Sequence, residues 1–272
     1  MRQSYLADYH THSRWSFDAS HPMGEMALAG ADAGLREICF TDHVELYNPG
    51  DCPRSTFDWG ARSAEFTAAR AEAGGRIVIR QGIELGEAPR DFAWAAQVLD
   101  TMPEPDFIIG SIHQFSEKFH RADLYYDSST DPKVAETQIT DYLNRVLQLA
   151  SWGKFSVLGH LTLPLRYMNE DRGMHMSFDG REGEIREIFR ALIANGCGIE
   201  INTNRGNAPL PGARWAALYR ALGGEIITLG SDAHTPEFVG RGIAEGQRML
   251  RECGFTQFCT FEKRKPIFHD LL

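Results

Sequence analysis

The sequence has no basic stripe, no C-x-x-C pair and no apolar stretch of the roughly 18 to 20 residues that a membrane-spanning helix needs. Each absence removes a class of protein. Without clustered Lys and Arg, and with a formal net charge of −9, the chain lacks the electrostatic footprint of a protein that binds long nucleic acid. A small anionic substrate stays open, because a few local arginines and metal ions can attract one. Cys39, Cys52, Cys197, Cys253 and Cys259 are odd in number and lack metal-type spacing, so they read as reduced thiols. Cys39 and Cys197 sit in apolar runs and are expected to be buried. Residues Met1 to Tyr5 show no charged-then-apolar leader, and a cytoplasmic location is expected. Linkers, low-complexity tracts and repeats of solenoid length are also missing.

What is present is an ordinary globular composition: 272 residues, 43% hydrophobic and 24% charged. That length suits a single domain over 1–272 with a sizeable core. Short β-like runs alternate with longer helical patterns. The pattern predicts strands at 4–9, 37–41, 76–83, 106–112, 155–158, 198–201 and 225–229, with a further one near 257–261. Helices are predicted at 23–33, 59–73, 91–99, 132–152, 180–195, 213–222 and 237–253. Gly34, Gly153, Gly196 and Gly223 fall just after helical patterns, where a left-handed cap is wanted. About seven βα units in alternation imply parallel pairing and favour a barrel.

Nearly every predicted strand ends in a residue that can bind a metal ion. The first ends at Asp8-Tyr9-His10-Thr11-His12, the second at Thr41-Asp42-His43, and the third at Gly82-Ile83-Glu84. The fourth gives Gly110-Ser111-Ile112-His113, the fifth Leu158-Gly159-His160, and the seventh Gly230-Ser231-Asp232-Ala233-His234. In a parallel barrel the carboxyl ends of the strands converge on one face, where active sites are built. One strand-end histidine is usually a satisfied hydrogen-bonding residue. Six of the ten histidines here, beside Glu84 and Asp232, read instead as a cluster. In His10-x-His12 both side chains lie on one side of an extended chain and can reach one ion. Asp232-x-His234 can serve two neighbouring ions, and Glu84 can bridge. Nitrogen and oxygen donors without thiolate suit zinc, manganese or iron. Clustered ions lower the pKa of a bound water and clamp the oxygens of an in-line displacement at phosphorus.

These motifs, in this order from about Tyr9 to His234, resemble those of the polymerase and histidinol phosphatase (PHP) superfamily. The length and the lack of extra domains resemble its stand-alone histidinol-phosphatase branch. The resemblance implies an α/β fold, a distorted (β/α)7 barrel similar to a TIM barrel, with two to three divalent ions. It implies a first ion at His10, His12, Glu84 and Asp232, with Glu84 bridging to a second at His113 and His160. A third would use His43 and His234. At the remaining third-site position, six residues after His12, some members have histidine and this chain has Asp18. Aspartate is a competent hard ligand. Its alternative reading is a solvated or helix-capping carboxylate near Ser20.

Arg166 and Arg205 lie just beyond strand ends and can supply paired donors to a phosphomonoester. The alternative for each is a surface arginine paired with an acid. The stretch Asn202-Thr203-Asn204-Arg205 resembles a family segment in which an Asn-Thr dipeptide leads to a phosphate-binding arginine, with compressed spacing here. Asp42 either protonates the leaving alkoxide or orients a ligand histidine, and Asn202 is a candidate substrate contact. Trp15, Phe17 and Phe115 either wall the pocket or fill the core. The expected activity is hydrolysis of a small phosphorylated metabolite, L-histidinol phosphate in the first place, with a metal-bridging hydroxide as nucleophile. The alternatives are a phosphodiesterase acting on nucleotides, an amidohydrolase, for which no strand-end lysine appears, and a metal-binding domain without turnover.

Overall fold

The computed structural model describes residues 5–47 and 57–272; Cys52 and the first residue of the predicted strand 4–9 lie outside the described residues. Strands β1 (Ala7–Thr11), β2 (Glu37–Phe40), β4 (Val78–Gly86), β5 (Phe107–Ser111), β6 (Val157–Leu158), β7 (Gly198–Asn202) and β8 (Ile227–Gly230) pair side by side in parallel. Between them run α1 (Met23–Asp32), α2 (Trp59–Ala73), α3 (Phe92–Thr101), α4 (Pro132–Trp152), α6 (Glu182–Ala194) and α7 (Ala213–Ala221). The single-turn α5 (Leu163–Leu165) precedes a π-helical turn, and α8 (Ile243–Glu252) follows β8. The ring closes where Thr11 bridges Ala233, through Asp232 N donating to His10 O at 2.8 Å and His12 N donating to Ala233 O at 2.8 Å. The Asp8 carboxylate reinforces that seam, accepting from Ser231 N (2.9 Å), Ser231 Oγ (2.5 Å) and Gly240 N (2.8 Å).

The helices begin and end where the local chemistry dictates. Asp58 caps α2 by accepting from Ala61 N, and Asp131 caps α4 by accepting from Lys133 N, with Pro132 in the first turn. Gly153 ends α4 at φ 63°, a conformation that costs glycine nothing. Every residue of β1, β2, β5, β7 and β8 is buried, as expected of strands covered by helices outside and by packed side chains within.

Three elements differ from the sequence pattern. The predicted strand 37–41 does not stop: β3 (His43–Glu45) continues against the second half of β4 in the same register, Phe40 facing Gln81 and His43 facing Glu84. Arg62 fills the break, donating to Phe40 O, Gly82 O and both the Nε and Nη2 routes to Asp42 Oδ2. The predicted helix 237–253 begins only at Ile243, because Gly240 and Gly242 adopt positive φ before it. A tenth strand, β10 (Lys265–Asp270), pairs antiparallel with β9 (Gln257–Glu262). The turn of this hairpin docks at the amino end of β5, where Lys263 N and Arg264 N donate to Asp106. Phe261 packs there against Phe107, and its N–H donates to the Tyr9 hydroxyl. Among the described residues no helix is long and apolar enough to cross a membrane.

A buried ion pair ties α4 to the loops at the carboxyl ends of β4 and β5. Arg145 Nη2 donates to Glu87 Oε2 at 2.8 Å, and its Nη1 to Gln114 O and Phe115 O. The other Glu87 oxygen accepts from His113 N (2.8 Å) and Gln114 N (2.9 Å). Both side chains are almost fully enclosed. Arg145→Met would leave Glu87 charged and unpaired, which typically costs about 3 to 5 kcal/mol. Guanidinium denaturation should show that loss as a lower midpoint; a shift under about 1 kcal/mol would contradict this anchoring role.

Candidate metal centre

At the carboxyl ends of the strands, one carboxylate collects imidazoles from four segments. Glu84 Oε2 lies 3.2 Å from His10 Nε2, 3.6 Å from His12 Nε2 and 3.0 Å from His43 Nδ1. Its Oε1 lies 3.1 Å from His113 Nε2 and 2.8 Å from His160 Nε2, and accepts from Ser111 Oγ at 2.6 Å. Asp232 Oδ1 stands 3.8 Å from His10 Nε2 and 3.5 Å from His12 Nε2. Asp18 Oδ2 stands 3.1 Å from His234 Nε2 and 3.5 Å from His43 Nε2. All nine residues expected as ligands therefore meet in one place, although β1, β3, β4 and the segments after β1, β5, β6 and β8 supply them.

Several of these atoms have no hydrogen-bond partner despite full burial: His10 Nε2, His12 Nε2, His43 Nδ1 and Glu84 Oε2. Buried polar atoms are normally satisfied, so converging orphans call for something between them. Donor sets with all atoms within 4.8 Å of one another include His10, His12 and Asp232; His10, Glu84 and His160; and His12, His43 and His234. A further set, His43, Glu45 and His113, includes a carboxylate that the sequence pattern did not single out. Nitrogen and oxygen donors in this arrangement fit divalent ions.

The rear nitrogen of most rings is held by a partner that turns Nε2 inward. His10 Nδ1 meets Glu200 Oε1 at 2.7 Å, His12 Nδ1 meets Ser16 Oγ at 2.9 Å, and His113 Nδ1 meets Glu45 Oε1 at 2.5 Å. Such partners fix the tautomer and raise ligand basicity. The other Glu200 oxygen accepts from His160 N at 2.9 Å, so one buried carboxylate sets two ligands. Space around it is tight: a Cβ on Gly230 would come within 2.2 Å of His10 Cβ and 2.4 Å of Glu200 Oε1.

The remaining candidates divide. Arg166, on the π-helical turn Arg166–Asp171, donates to Asp232 Oδ2 at 3.0 Å, and it lines the cavity with Arg205. Arg205 sits in the left-handed region at φ 56°, its N–H donating to Ser231 O. Asp42 does not line the cavity. It lies against Arg62, Ser13 and Ser16, and Ser16 in turn meets His12. Burial raises its carboxyl pKa, but Arg62 and the Ser13 N–H outweigh that and hold it below the usual value. Asp42 therefore stands behind His12, at one remove through Ser16. Asn202, expected as a substrate contact, instead accepts from Asn204 N at 2.8 Å and shapes the loop that carries Arg205. Phe17 walls the cavity, Phe115 is core, and Trp15 donates to Glu65 away from the cluster.

The cavity above the cluster has a volume of about 520 Å³. Besides the ligands and arginines it is lined by Glu45, Tyr47, Gln114, Asp123, Tyr125, Tyr126 and Tyr167. None of these was legible as a site residue; their segments read as ordinary loop.

A family model of the PHP domain matches residues 8–204. The chain belongs to the PHP domain family. A histidinol-phosphatase of Lactococcus lactis is 28% identical over 95% of both chains. A probable histidinol-phosphatase of Thermotoga maritima is 27% identical over 92% of this chain and 93% of the other. The crystal structure of the histidinol phosphate phosphatase of Lactococcus lactis, complexed with zinc, L-histidinol and phosphate, superposes with a TM-score of 0.81 at 25% identity. That match covers 96% of this chain and 98% of the other. The PHP fold of this chain is thus a nearly closed seven-stranded barrel with one interrupted strand.

Two outcomes follow from this geometry. Glu200→Gln can still accept from His10 but offers an amide N–H to the His160 N–H, so one of the two contacts is lost. Metal retention should fall about 10- to 100-fold with the circular dichroism spectrum intact; unchanged retention would remove Glu200 from its orienting role. Burial lowers the pKa of His10, His43 and His113, yet the neighbouring carboxylates overcome it and raise all three, His43 to about 10. At neutral pH these rings carry protons that an incoming ion must displace, so affinity for metal should weaken as pH falls. Calorimetry in buffers of different ionisation enthalpy should detect proton release on metal uptake; none at pH 7 would contradict the sign.

Proposed function

We propose that this chain is a divalent-metal-dependent phosphomonoesterase, and that its substrate is L-histidinol phosphate. The observation that carries the reading is the set of buried, unsatisfied donor atoms on His10, His12, His43 and Glu84, lying beneath a cavity that Arg166 and Arg205 also line. An anion drawn to the metals would meet guanidinium donors there. The likeness to the Lactococcus lactis structure that holds zinc, L-histidinol and phosphate supports the same choice of ester.

His10, His12, Glu84 and Asp232 would hold one ion, Glu84, His113 and His160 a second, and His43, His234 and Asp18 a third. Such ions activate a water and take up charge on the oxygens of a displacement at phosphorus. The protein's own residues then have distinct tasks. Arg205, on its left-handed turn, presents a planar pair of donors to the non-bridging oxygens. Arg166 does the same while its contact with Asp232 fixes it relative to the cluster. Preorganised donors of this kind need no rearrangement as charge develops, which is where electrostatic catalysis gains most. Phe17, Tyr125 and Tyr167 line the cavity and give the ester an aromatic wall. A small metabolite fits about 520 Å³, and the net charge of −9 offers nothing to a long polyanion.

The test is phosphate release from L-histidinol phosphate, a generic phosphomonoester and a diester after loading with zinc, manganese or iron. Strong preference for L-histidinol phosphate is expected. Comparable slow turnover of all monoesters would discard that substrate, and activity on the diester alone would discard the monoesterase reading. Glu84→Gln should lower metal content and kcat/KM together, by more than the roughly 10- to 100-fold that supporting residues cost.

A further inference from the structure

We infer that Asp123 anchors a protonated amine on the alcohol portion of the substrate, so that the site takes a phosphomonoester bearing an ammonium group. This rests on the phosphomonoesterase reading and adds the recognition of the leaving group.

Five carboxylates line the cavity, and four already have cationic or imidazole neighbours. Glu84 faces five imidazoles, Asp232 faces His10, His12 and Arg166, and Asp18 faces His43 and His234. Glu45 is held by His113 and lies 3.5 Å from His43. Asp123 is different. Its carboxylate accepts from the backbone N–H of Tyr125 at 2.8 Å; His113 is a positive neighbour of it, but among the described residues no salt bridge or side-chain hydrogen bond holds it. A carboxylate enclosed in part by protein gains from a cation that offsets its lost hydration.

The backbone around Asp123 is built to hold it still. After β5 the chain turns back on itself, with Leu124 N donating to His113 O (2.8 Å) and Phe115 N to Ala122 O (2.9 Å), which pairs Asp123 with Gln114. His113 and Gln114 are themselves fixed by Glu87. The backbone of Asp123 is thereby paired beside the residue that follows His113, and Asp123 and His113 line the same cavity. Aromatic rings complete the wall. Tyr125 stands edge-on to both Tyr126 (5.0 Å) and Tyr167 (5.8 Å), and Tyr167 adjoins Arg166. Ring faces attract ammonium groups and stack with a flat heterocycle. Tyr125 and Tyr126 are 63% and 72% exposed, large apolar surfaces left open at the mouth.

The test compares wild type and Asp123→Asn, both metal-loaded, with two ligand pairs. The first pair is L-histidinol and its des-amino analogue 3-(imidazol-4-yl)propan-1-ol, followed by calorimetric binding. The second is the two corresponding phosphate esters, followed as kcat/KM. A charge-assisted hydrogen bond predicts that wild type favours the amino member about 10- to 100-fold. In Asp123→Asn that ratio should fall towards one, chiefly through Kd and KM. Wild type that does not discriminate, or a variant that loses both members equally and keeps the ratio, overturns the inference. Absence of ester turnover would sink the phosphomonoesterase reading instead, while the binding ratio of the two alcohols still decides Asp123.

Discussion

A carboxylate with 1% of its side chain exposed, ringed by five histidines, is the constraint on which this site depends. Glu84 cannot exchange its charge with water, and imidazole alone is a poor substitute for hydration. The carboxylates around the cluster raise the pKa values of His10, His43 and His113 against the opposing effect of burial. His12 moves the other way. Burial and its neighbours His234 and His43 bring it down to about 3, so its ring stays neutral with a lone pair directed inward.

Behind that layer stands a second set of buried acids, and each ties a ligand to the barrel wall. Asp8 holds Ser231, the residue before Asp232. Glu87 holds the backbone of His113, and Glu200 holds the ring of His10 and the backbone of His160. Asp42 reaches His12 through Ser16. Two of these acids are matched by arginines that span to helices: Arg62 from α2 to Asp42 and Arg145 from α4 to Glu87. The helical layer therefore does more than cover the strands. Through Arg62 and Arg145 it neutralises two of those four acids, Asp42 and Glu87, and so ties the outer ring to the inner one.

The first layer was legible because a histidine at a strand end contradicts its apolar surroundings, and six did so in register with the βα alternation. The second layer was not, for a physical reason. Glu200 lies in Gly198-Ile199-Glu200-Ile201-Asn202, and a strand buried on both faces carries no period-two signal to say which side is inward. A charged residue in so apolar a run was the available hint, since such residues are rarely enclosed unless paired. Glu45 was lost for a related reason: the strand seemed to end at Thr41, whereas Arg62 bridges the gap and β3 resumes the register. Helix limits fared better. The predicted 59–73 and 132–152 coincide with α2 and α4, and Gly153 as a C-cap is a local signal that needs no partner elsewhere in the chain.

Asn202 and Arg205 show how the division between strand and loop bears on specificity. Residues within or directly at the strand ends hold positions that the ladder hydrogen bonds set, and they make the cluster of histidines and carboxylates. The walls come from three segments beyond the ladder: the hairpin after β5 with Asp123 and Tyr125, the π-helical turn with Arg166 and Tyr167, and the left-handed turn that Asn202 shapes for Arg205. Each is locked by its own short-range bonds, Gln114 to Asp123, Arg172 to Tyr167 and Asn202 to Asn204. Because these bonds are local, one wall can change without disturbing the register of the barrel. The loop walls thus carry both the arginines proposed for the phosphate and the carboxylate proposed for the alcohol, while the barrel ladder holds the cluster beneath them.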